Sequence, residues 1–293
     1  QAASTYPLPV QIKHKHDEIK SHIEKQDYLK IVEKAKDYIV EGDIFQIVPS
    51  RRFSGEFNYS EVSFYRALRS LNPSPYLFYL KLGDFCLVGS SPEILVKTEG
   101  RKVTIRPIAG TRKRGENEQK DIELEQDLLN DRKELAEHLM LLDLGRNDAG
   151  RVAAKSSVEV TEYMIVERYS HVMHIVSNVV AELAKGKDSI DALKASFPAG
   201  TVSGAPKIRA MEIIDELEKE KRQFYAGTVG YFSSNGDMDT CIALRTALIK
   251  DNIIYLQAGG GVVFDSDPES EYLETQNKAQ ALLKAAKEAK NYC

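Results

Sequence analysis

The segment at residues 257–278 combines a run of glycines with acidic residues at helical spacing. The glycine run at 259–261 lets the backbone approach a ligand closely, because no side chains intervene. On the helix that should follow, Glu271, Glu274 and Lys278 fall on one face. Like charges on one face are mildly destabilising, and a bound cation would offset that cost. The segment therefore predicts a site that holds a metal ion and an anion together.

A second pair of glutamates has the same spacing in the middle of the chain. Glu134 and Glu137 lie at i, i+3 within a helix predicted over residues 123–142. Two facing helices with such pairs could direct all these carboxylates at one hard cation, and Mg²⁺ prefers oxygen ligands. A lone Glu-x-x-Glu is more often a solvated helix face, so the spacing alone leaves both interpretations open.

The elements that position these residues follow from periodicity. Helical spacing predicts helices at residues 28–40, 123–142, 190–197 and 205–217. A further helix should begin at Pro268, with Asp267 as its cap. Apolar alternation and turn residues predict strands at 43–49, 76–82, 85–89, 93–97, 103–106, 158–165, 171–180, 226–233, 238–250 and 253–258. Strands in runs that helices interrupt favour an α+β fold with mostly antiparallel sheets.

Composition excludes several classes of protein. The 293 residues, 42% hydrophobic and 29% charged, suit a soluble chain of one large domain or two ordinary ones. The net charge of −4 predicts no nucleic-acid partner, and no apolar run approaches the ~18 residues of a membrane span. Three scattered cysteines form no metal spacing and no disulfide framework, so a reducing cytoplasm is expected. The start at Gln1 suggests a trimmed or partial chain.

Several motifs occur together and in a fixed order. Besides residues 257–278, they are Gly-Asp-Ile-Phe-Gln-Ile-Val-Pro-Ser-Arg at 42–51, Ser-Pro-Glu at 91–93, Pro-Ile-Ala-Gly-Thr-Arg at 107–112, Glu-Leu-Ala-Glu-His-Leu-Met-Leu-Leu-Asp-Leu-Gly-Arg-Asn-Asp at 134–148, and Phe-Pro-Ala-Gly-Thr-Val-Ser-Gly-Ala-Pro-Lys at 197–207. Together they resemble the chorismate-utilising enzymes, and most of all the component I chains of anthranilate synthases. The resemblance covers roughly residues 27–287.

The resemblance implies a chorismate-binding β-sandwich with flanking helices, of the α+β class, that holds chorismate and Mg²⁺ in a deep cleft. We therefore expect one chorismate-binding catalytic domain at residues 27–290, after an N-terminal tether or remnant at 1–26. Chorismate carries two carboxylates, so its site needs cationic groups and backbone donors. Members of this group usually have a longer N-terminal part that completes the sandwich and binds tryptophan.

The family places Mg²⁺ on the two glutamate pairs. By resemblance, Glu137 and Glu274 would bind the metal directly, and Glu134 and Glu271 would act partly through water. Glu93, in the Ser-Pro-Glu motif, would be the general acid that protonates the departing C4 hydroxyl. A carboxyl group can do this if burial raises its pKa. The alternative is a carboxylate at a strand edge in a salt bridge.

The family also assigns residues to the substrate. Arg245 would bind the enolpyruvyl carboxylate, with Tyr225 and the backbone at Gly260 and Gly261 assisting. An intraprotein ion pair is the alternative for Arg245, because an arginine that faces a core needs an anionic partner.

Other positions line the substrate ring or carboxylate. His174 and Thr201 match positions that line the ring pocket, and His174 is the candidate catalytic histidine. Gly110 and Thr111 would donate hydrogen bonds to a carboxylate, and Lys278 could reach the metal-bound carboxylate. The ordinary alternatives are a structural core histidine, a turn, and a surface ion pair with Glu274 worth only ~0.2–0.5 kcal/mol.

Two positions select the reaction within the family. Members that use a covalent lysine have it where this chain has Ala109, and members that activate water have a lysine where this chain has Gln46. Glutamine is no base at neutral pH, whereas ammonia needs none to attack. The expected reaction is chorismate plus ammonia to anthranilate and pyruvate, with the ammonia from a separate glutamine amidotransferase subunit. The alternatives are aminodeoxychorismate synthesis and a chorismate-binding module without turnover.

Overall fold

The computed structural model describes residues 18–169 and 172–293. Within these ranges there are seven α-helices: α1 (Lys25–Val40), α2 (Glu61–Leu71), α3 (Glu118–Asn130), α4 (Arg132–Gly150), α5 (Ser189–Ser196), α6 (Lys207–Leu217) and α7 (Pro268–Glu288). Two short 3-10 helices lie at Gly200–Val202 and Ala289–Tyr292. None of the described helices is both long enough and apolar enough to cross a membrane.

The same ranges contain fifteen strands. The first eight are β1 (Lys20–Ser21), β2 (Gln46–Ile47), β3 (Ser50–Glu56), β4 (Tyr76–Leu82), β5 (Phe85–Ser91), β6 (Ile94–Glu99), β7 (Lys102–Ile105) and β8 (Ile108–Lys113). The others are β9 (Glu159–Arg168), β10 (Val172–Glu182), β11 (Gly204–Ala205), β12 (Thr228–Phe232), β13 (Met238–Ile242), β14 (Thr246–Lys250) and β15 (Ile253–Gly259).

The chain divides into two compact units. The first contains the described residues up to Pro92, with Glu212–Tyr225 and Ala243–Cys293. Its six-stranded sheet has the order β1-β3-β15-β14-β5-β4, and every neighbouring pair is antiparallel. Asp251 and Asn252 both have positive φ, 52° and 58°, and form the tight turn between β14 and β15 that the sequence predicts.

The core of the first unit lies between this sheet and the helices α2 and α7. Phe64 and Leu68 of α2 and Leu282 of α7 are buried with Val88 of β5 and Leu256 of β15. Full burial of a side chain of this size stabilises the fold by about 1.5–3 kcal/mol. This core fixes α7, the helix that carries one of the glutamate pairs.

The second unit contains Glu93–Met211 and Ala226–Ile242. Its seven-stranded sheet has the order β12-β13-β6-β7-β10-β8, and β9 pairs with the other side of β10. All of these pairs are antiparallel. Met173 and Ile175 of β10 are buried with Leu128 of α3, and Leu135 of α4 packs on the same cluster. The helix with the other glutamate pair is thereby held against β10.

The α+β class and the mostly antiparallel sheets predicted from the sequence are confirmed. The helix expected from Pro268 is also present, and Asp267 accepts a hydrogen bond from the Ser270 N–H at 2.9 Å. The predicted tether at residues 1–26 lies largely outside the described residues. The single chorismate-binding catalytic domain expected at residues 27–290 stays a prediction.

The single helix predicted over residues 123–142 is wrong. The structure has two helices there, α3 and α4, and Asp131 separates them. Asp131 adopts an extended conformation, and its side chain accepts hydrogen bonds from the N–H groups of Lys133 and Glu134. A side chain that caps a new helix in this way competes with continuation of the old one.

Two strand predictions are also wrong. Residues 238–250 form two strands, β13 and β14, that belong to different sheets, because the backbone turns at Arg245 with a φ of 46°. Residues 43–49 contain only the short strand β2, and the long strand begins at Ser50. Both segments are apolar along most of their length, so alternation could not locate the break.

Candidate functional site

Glu93 opens the second unit immediately before β6. It is 8% exposed, and its carbonyl oxygen accepts a hydrogen bond from the Ile242 N–H at 3.0 Å. Its side chain lines a small cavity of about 30 Å³ together with Asp148 of α4 and Thr201. A cavity of this size holds about one water molecule. Glu93 therefore lies at a buried position beside a small cavity.

Thr201 lies in the 3-10 helix Gly200–Val202, within the motif at residues 197–207. Its hydroxyl oxygen is buried and has no hydrogen-bond partner among the described residues. The segment is anchored by Lys207, whose Nζ donates to Asp148 Oδ2 at 2.8 Å and to the Ser196 carbonyl at 3.3 Å. Thr201 is therefore held on a fixed segment with a hydroxyl that can still accept or donate a hydrogen bond.

Strands β8 and β10 bring together three of the predicted residues. His174 is paired with Thr111 across the two strands, and a register shift follows at Ile175. The Nδ1 atom of His174 lies 2.9 Å from Thr111 Oγ1 and 3.2 Å from the Gly110 carbonyl oxygen. Thr111 and Gly110 are thus part of a strand, and His174 is half-buried at its surface rather than enclosed in the core.

Gly110 has a φ of 77°, which side chains with a Cβ adopt only with strain. A Cβ at this position would stand 3.3 Å from Glu134 Oε2 and 3.1 Å from Ile175 Cδ1. The glycine thus allows the carboxylate of a predicted metal ligand to lie directly on the strand that should bind the substrate.

Helix α4 presents Glu134 and Glu137 one turn apart, both half-buried. Burial raises the pKa of Glu134, and the Arg112 guanidinium opposes this shift. Arg112 donates from Nη1 to Glu134 Oε1 at 3.4 Å, from Nη2 to Asp131 at 2.7 Å and from Nε to Asp127 at 2.7 Å. The motif at residues 107–112 includes this arginine, but a separation of 22 residues from Glu134 hides the contact in the sequence.

In the first unit, the triple glycine lies beside the segment that contains Gln46. The N–H and carbonyl groups of Ile47 and Val262 bond each other at 3.1 and 2.7 Å, and the Gly260 N–H donates to the Pro49 carbonyl at 3.2 Å. Gln46 is 2% exposed. Gln46, which is expected to select the nucleophile, therefore lies next to the glycines that are expected to bind an anion.

Glu271 and Gly260 are in close contact. A Cβ at residue 260 would stand 3.1 Å from Glu271 Oε2, and the Ser266 hydroxyl donates to Glu271 Oε1 at 2.7 Å. One turn along α7, Glu274 accepts an ion pair from Lys278 Nζ at 2.6 Å. Lys278 also donates to the Gly259 carbonyl at 3.2 Å, so the predicted surface pair is also tied to the glycine run.

Tyr225 lies against the start of the same glycine run. It is 4% exposed, and a Cβ at Gly259 would stand 2.8 Å from its hydroxyl. Burial raises the pKa of the Tyr225 phenol, and the cations of Arg222 and Lys278 oppose the shift. The phenol therefore remains neutral and can donate a hydrogen bond.

Arg245 lies at the junction before β14 rather than within a strand. It is half-buried, and its carbonyl oxygen accepts a hydrogen bond from the Ser90 N–H at 3.1 Å. Its positive φ of 46° is rare for a residue with a Cβ and is associated with functional sites.

The acidic pairs suit Mg²⁺ by chemistry, since carboxylate oxygens are its preferred protein ligands. Within residues 18–169 and 172–293, no group of three or more acidic, histidine or cysteine side chains is gathered closely enough to hold a metal. Each pair has instead a basic neighbour, Arg112 at Glu134 and Lys278 at Glu274. Cations therefore already compensate the carboxylates that the resemblance assigns to the metal.

Comparison with known proteins identifies the class. A family model of chorismate binding enzymes matches residues 2–284, and the chain belongs to that family. The resemblance predicted from the motifs is thereby confirmed.

Curated relatives refine the comparison. Anthranilate synthase component 1 of Cereibacter sphaeroides is 63% identical over 272 residues, which cover 93% of this chain and 54% of that protein. The protein of the same name from Neisseria meningitidis serogroup A is 56% identical over 286 residues, 98% of this chain and 58% of its own length. The chain thus spans about half the length of the curated relatives it matches.

Solved structures of the family have the same fold. Anthranilate synthase component I from Streptococcus pneumoniae TIGR4 superposes with a TM-score of 0.86 at 50% identity, over 92% of this chain and 59% of that one. MenF, the menaquinone-specific isochorismate synthase from Escherichia coli, superposes with a TM-score of 0.87 at 28% identity, over 97% of this chain and 66% of that one.

Proposed function

We propose that this chain carries the chorismate-converting site of an anthranilate synthase. The observation that carries the proposal is the 63% identity to a relative named anthranilate synthase component 1 over 93% of this chain. The reaction would join chorismate and ammonia, with loss of water, to 2-amino-2-deoxyisochorismate, which then loses pyruvate to give anthranilate. This product is the first committed intermediate of tryptophan biosynthesis.

The two positions that select among chorismate reactions support this choice. Ala109 has no nucleophilic group, so a covalent intermediate at this position is excluded. Gln46 cannot take a proton from water at neutral pH, so the nucleophile must be one that needs no base. Ammonia meets that condition.

Glu93 is the proposed general acid. Its proton would pass to the C4 hydroxyl, which leaves as water while ammonia adds at C2, and Glu93 is buried in the second unit. His174, held beside Thr111 and Gly110, is the second candidate catalytic residue. Thr201 would contact the ring.

The candidates for binding a substrate carboxylate are Arg245, Tyr225, Lys278 and the backbone of Gly260 and Gly261 in the first unit, and Gly110 and Thr111 in the second. Glu134 and Glu137 of α4, with Glu271 and Glu274 of α7, remain the candidate ligands of Mg²⁺. When bound, this ion would supply positive charge to a substrate carboxylate. The proposed source of ammonia is a separate glutamine amidotransferase subunit in the cytoplasm.

The direct test is incubation of the folded chain with chorismate, Mg²⁺ and an ammonium salt at alkaline pH, followed by anthranilate fluorescence. Alkaline pH supplies free ammonia. Anthranilate that depends on all three additions supports the proposal, and folded protein that forms none contradicts it. If the product carries its amine para to the carboxylate, chromatography will show it, and the chain is then an aminodeoxychorismate synthase. Chorismate binding in a calorimeter without any product would indicate a binding module.

A further inference from the structure

Arg51 is a buried cation inside a cage of three aromatic rings. It is 2% exposed, and it lies on strand β3. Its Cζ atom is 4.0 Å from the ring centroid of Tyr272, 5.0 Å from that of Phe53 and 5.5 Å from that of Tyr28. We call these three rings the aromatic cage.

No acceptor among the described residues bonds the Arg51 guanidinium. Its Nε and Nη1 atoms are fully enclosed and have no hydrogen-bond partner in residues 18–169 and 172–293. Burial of an unpaired charge is costly, and the cation–π contacts with the aromatic cage offset only part of that cost. A methionine or leucine would fill the cage without that cost. The position therefore holds a positive charge at the expense of stability.

The aromatic cage joins Arg51 to helix α7, because Tyr272 belongs to that helix. Tyr272 of the aromatic cage directly follows Glu271 and precedes Glu274 by two residues. Burial is the largest cause of the raised pKa of Tyr28, to which Glu271 and Glu274 add, whereas the charge of Arg51 opposes them. Arg51 and both glutamates therefore act on the same buried phenol, where electrostatic interactions are poorly screened.

We propose that Arg51 sets the cation affinity of the Glu271–Glu274 pair. Together with Lys278, it balances the two carboxylates, so that a divalent cation alone is bound weakly and an arriving anionic substrate completes the charge. Without Arg51, the same groups carry one net negative charge and favour the cation over the anion. Arg51 is thus a residue that ties cation binding to substrate binding. This inference rests on the Mg²⁺ site proposed above.

The test is calorimetric titration of Mg²⁺ into the full chain without chorismate, repeated with Mn²⁺ and detection of the free ion by electron paramagnetic resonance. Arg51→Gln and Arg51→Met should bind both ions about threefold to tenfold more tightly than the wild type, since Coulomb interactions of buried charges are strong. Arg51→Lys keeps the charge and should bind them like the wild type. In the assay, the two neutral variants should raise the KM for chorismate.

Arg52→Met is the matched control. Arg52 is the next residue of β3 and faces the opposite side of the sheet, where Nη1 pairs with Glu220 Oε2 at 3.2 Å. The Arg52→Met variant loses the same charge from the same strand, and its affinity for the ions should equal that of the wild type. Equal or weaker binding by the neutral Arg51 variants, or tighter binding by Arg52→Met, would overturn the inference. If the wild-type chain binds neither ion, the proposed metal site itself is refuted. If the wild type binds the ions and the neutral Arg51 variants bind them no more tightly, only the role of Arg51 is refuted.

Discussion

Glu271 lies so close to Gly260 that a Cβ on the glycine would stand 3.1 Å from the Oε2 atom of the carboxylate. The second unit repeats this relationship, because a Cβ on Gly110 would stand 3.3 Å from Glu134 Oε2. In each unit, a predicted metal ligand is packed on a glycine that is predicted to bind substrate. The glycines therefore serve two purposes, since they expose backbone groups and leave room for a carboxylate.

Gly260→Ala should impair the site without unfolding the chain. Its added methyl group displaces the Glu271 carboxylate by a few tenths of an ångström, because the Glu271 backbone and Thr275 also lie at 3.6 Å. We expect kcat/KM for anthranilate formation to fall by about tenfold, since small misplacements of charged groups are costly. Mg²⁺ binding should weaken in parallel.

Gly150→Ala is the control for this variant. A Cβ there meets only Val158 Cγ2 at 4.0 Å, and the position does not require a positive φ. Its activity and Mg²⁺ binding should equal those of the wild type. If Gly260→Ala behaves like Gly150→Ala, the contact between Gly260 and Glu271 does not affect activity or Mg²⁺ binding.

The sequence predicts best where the signal is local. Pro268 and Asp267 mark the start of α7 because a cap and an N1 proline act within one turn. The break at Asp131 was missed because the apolar pattern continues across it, although Asp131 lies three residues before Glu134 as in a capping motif. Such a cap inside a periodic pattern is the signal that could have divided the helix.

The features that the sequence does not predict depend on contacts between residues that are far apart in the chain. The turn at Arg245 depends on two sheets that continue on either side of it, and nothing in its neighbours' composition indicates a positive φ. Arg51 belongs to an Arg-Arg pair that resembles an ordinary surface strand, and only the fold brings Tyr28 and Tyr272 around it. Likewise, the contact between Arg112 and Glu134 joins a strand to a helix.

Glu274→Ala should abolish Mg²⁺-dependent anthranilate formation while the chain remains folded. Glu274 is half-buried on α7 and is a proposed direct ligand, so its loss removes a charged oxygen ligand that water replaces poorly. Glu269→Ala is the control, because Glu269 is exposed in the first turn of the same helix and pairs with Lys25. The measurement is activity against Mg²⁺ concentration, with circular dichroism as a check on folding. Near-normal activity of Glu274→Ala would refute the metal assignment.

Asp131→Ala should destabilise the second unit by about 1 kcal/mol, the usual value of a helix cap. The Arg112 guanidinium is the main cause of the lowered pKa of Asp131, and hydrogen bonds from the Glu134 and Lys133 N–H groups add to it. A lowered pKa in the folded state means that this stabilisation is present above the ordinary value of about 3.9 and is lost as the pH falls through the folded-state value. The difference between mutant and wild type in urea unfolding should therefore shrink in acid.

Asp131→Asn is the comparison, because asparagine caps a helix as well as aspartate but carries no charge. At neutral pH it should lose less stability than Asp131→Ala, and its loss relative to the wild type should vanish in acid, where the wild-type carboxyl is also neutral. An equal loss in the two variants would show that the ion pair with Arg112, rather than the cap, accounts for the stabilisation.

The buried ion pair between Lys207 and Asp148 should be far more costly to break than to replace. The two side chains are only 12% and 7% exposed and lie 2.8 Å apart. Lys207→Met leaves a buried carboxylate without its cation, so we expect a loss of about 3–5 kcal/mol in unfolding free energy at neutral pH. The double variant Lys207→Met, Asp148→Leu should recover most of this loss, because both charges are gone.

The pH dependence gives the same pair a second test. Burial already raises the pKa of Asp148 despite Lys207, and removal of Lys207 must raise the pKa further. A raised folded-state pKa means that the folded chain binds the proton more readily than the unfolded one, so stability falls as the pH rises between the two values. The destabilisation in Lys207→Met should thus be smaller at mildly acid pH than at neutral pH, whereas the double variant should show no such trend. A constant loss across this range would show that Asp148 stays ionised, and that water enters the cavity beside it to solvate the charge.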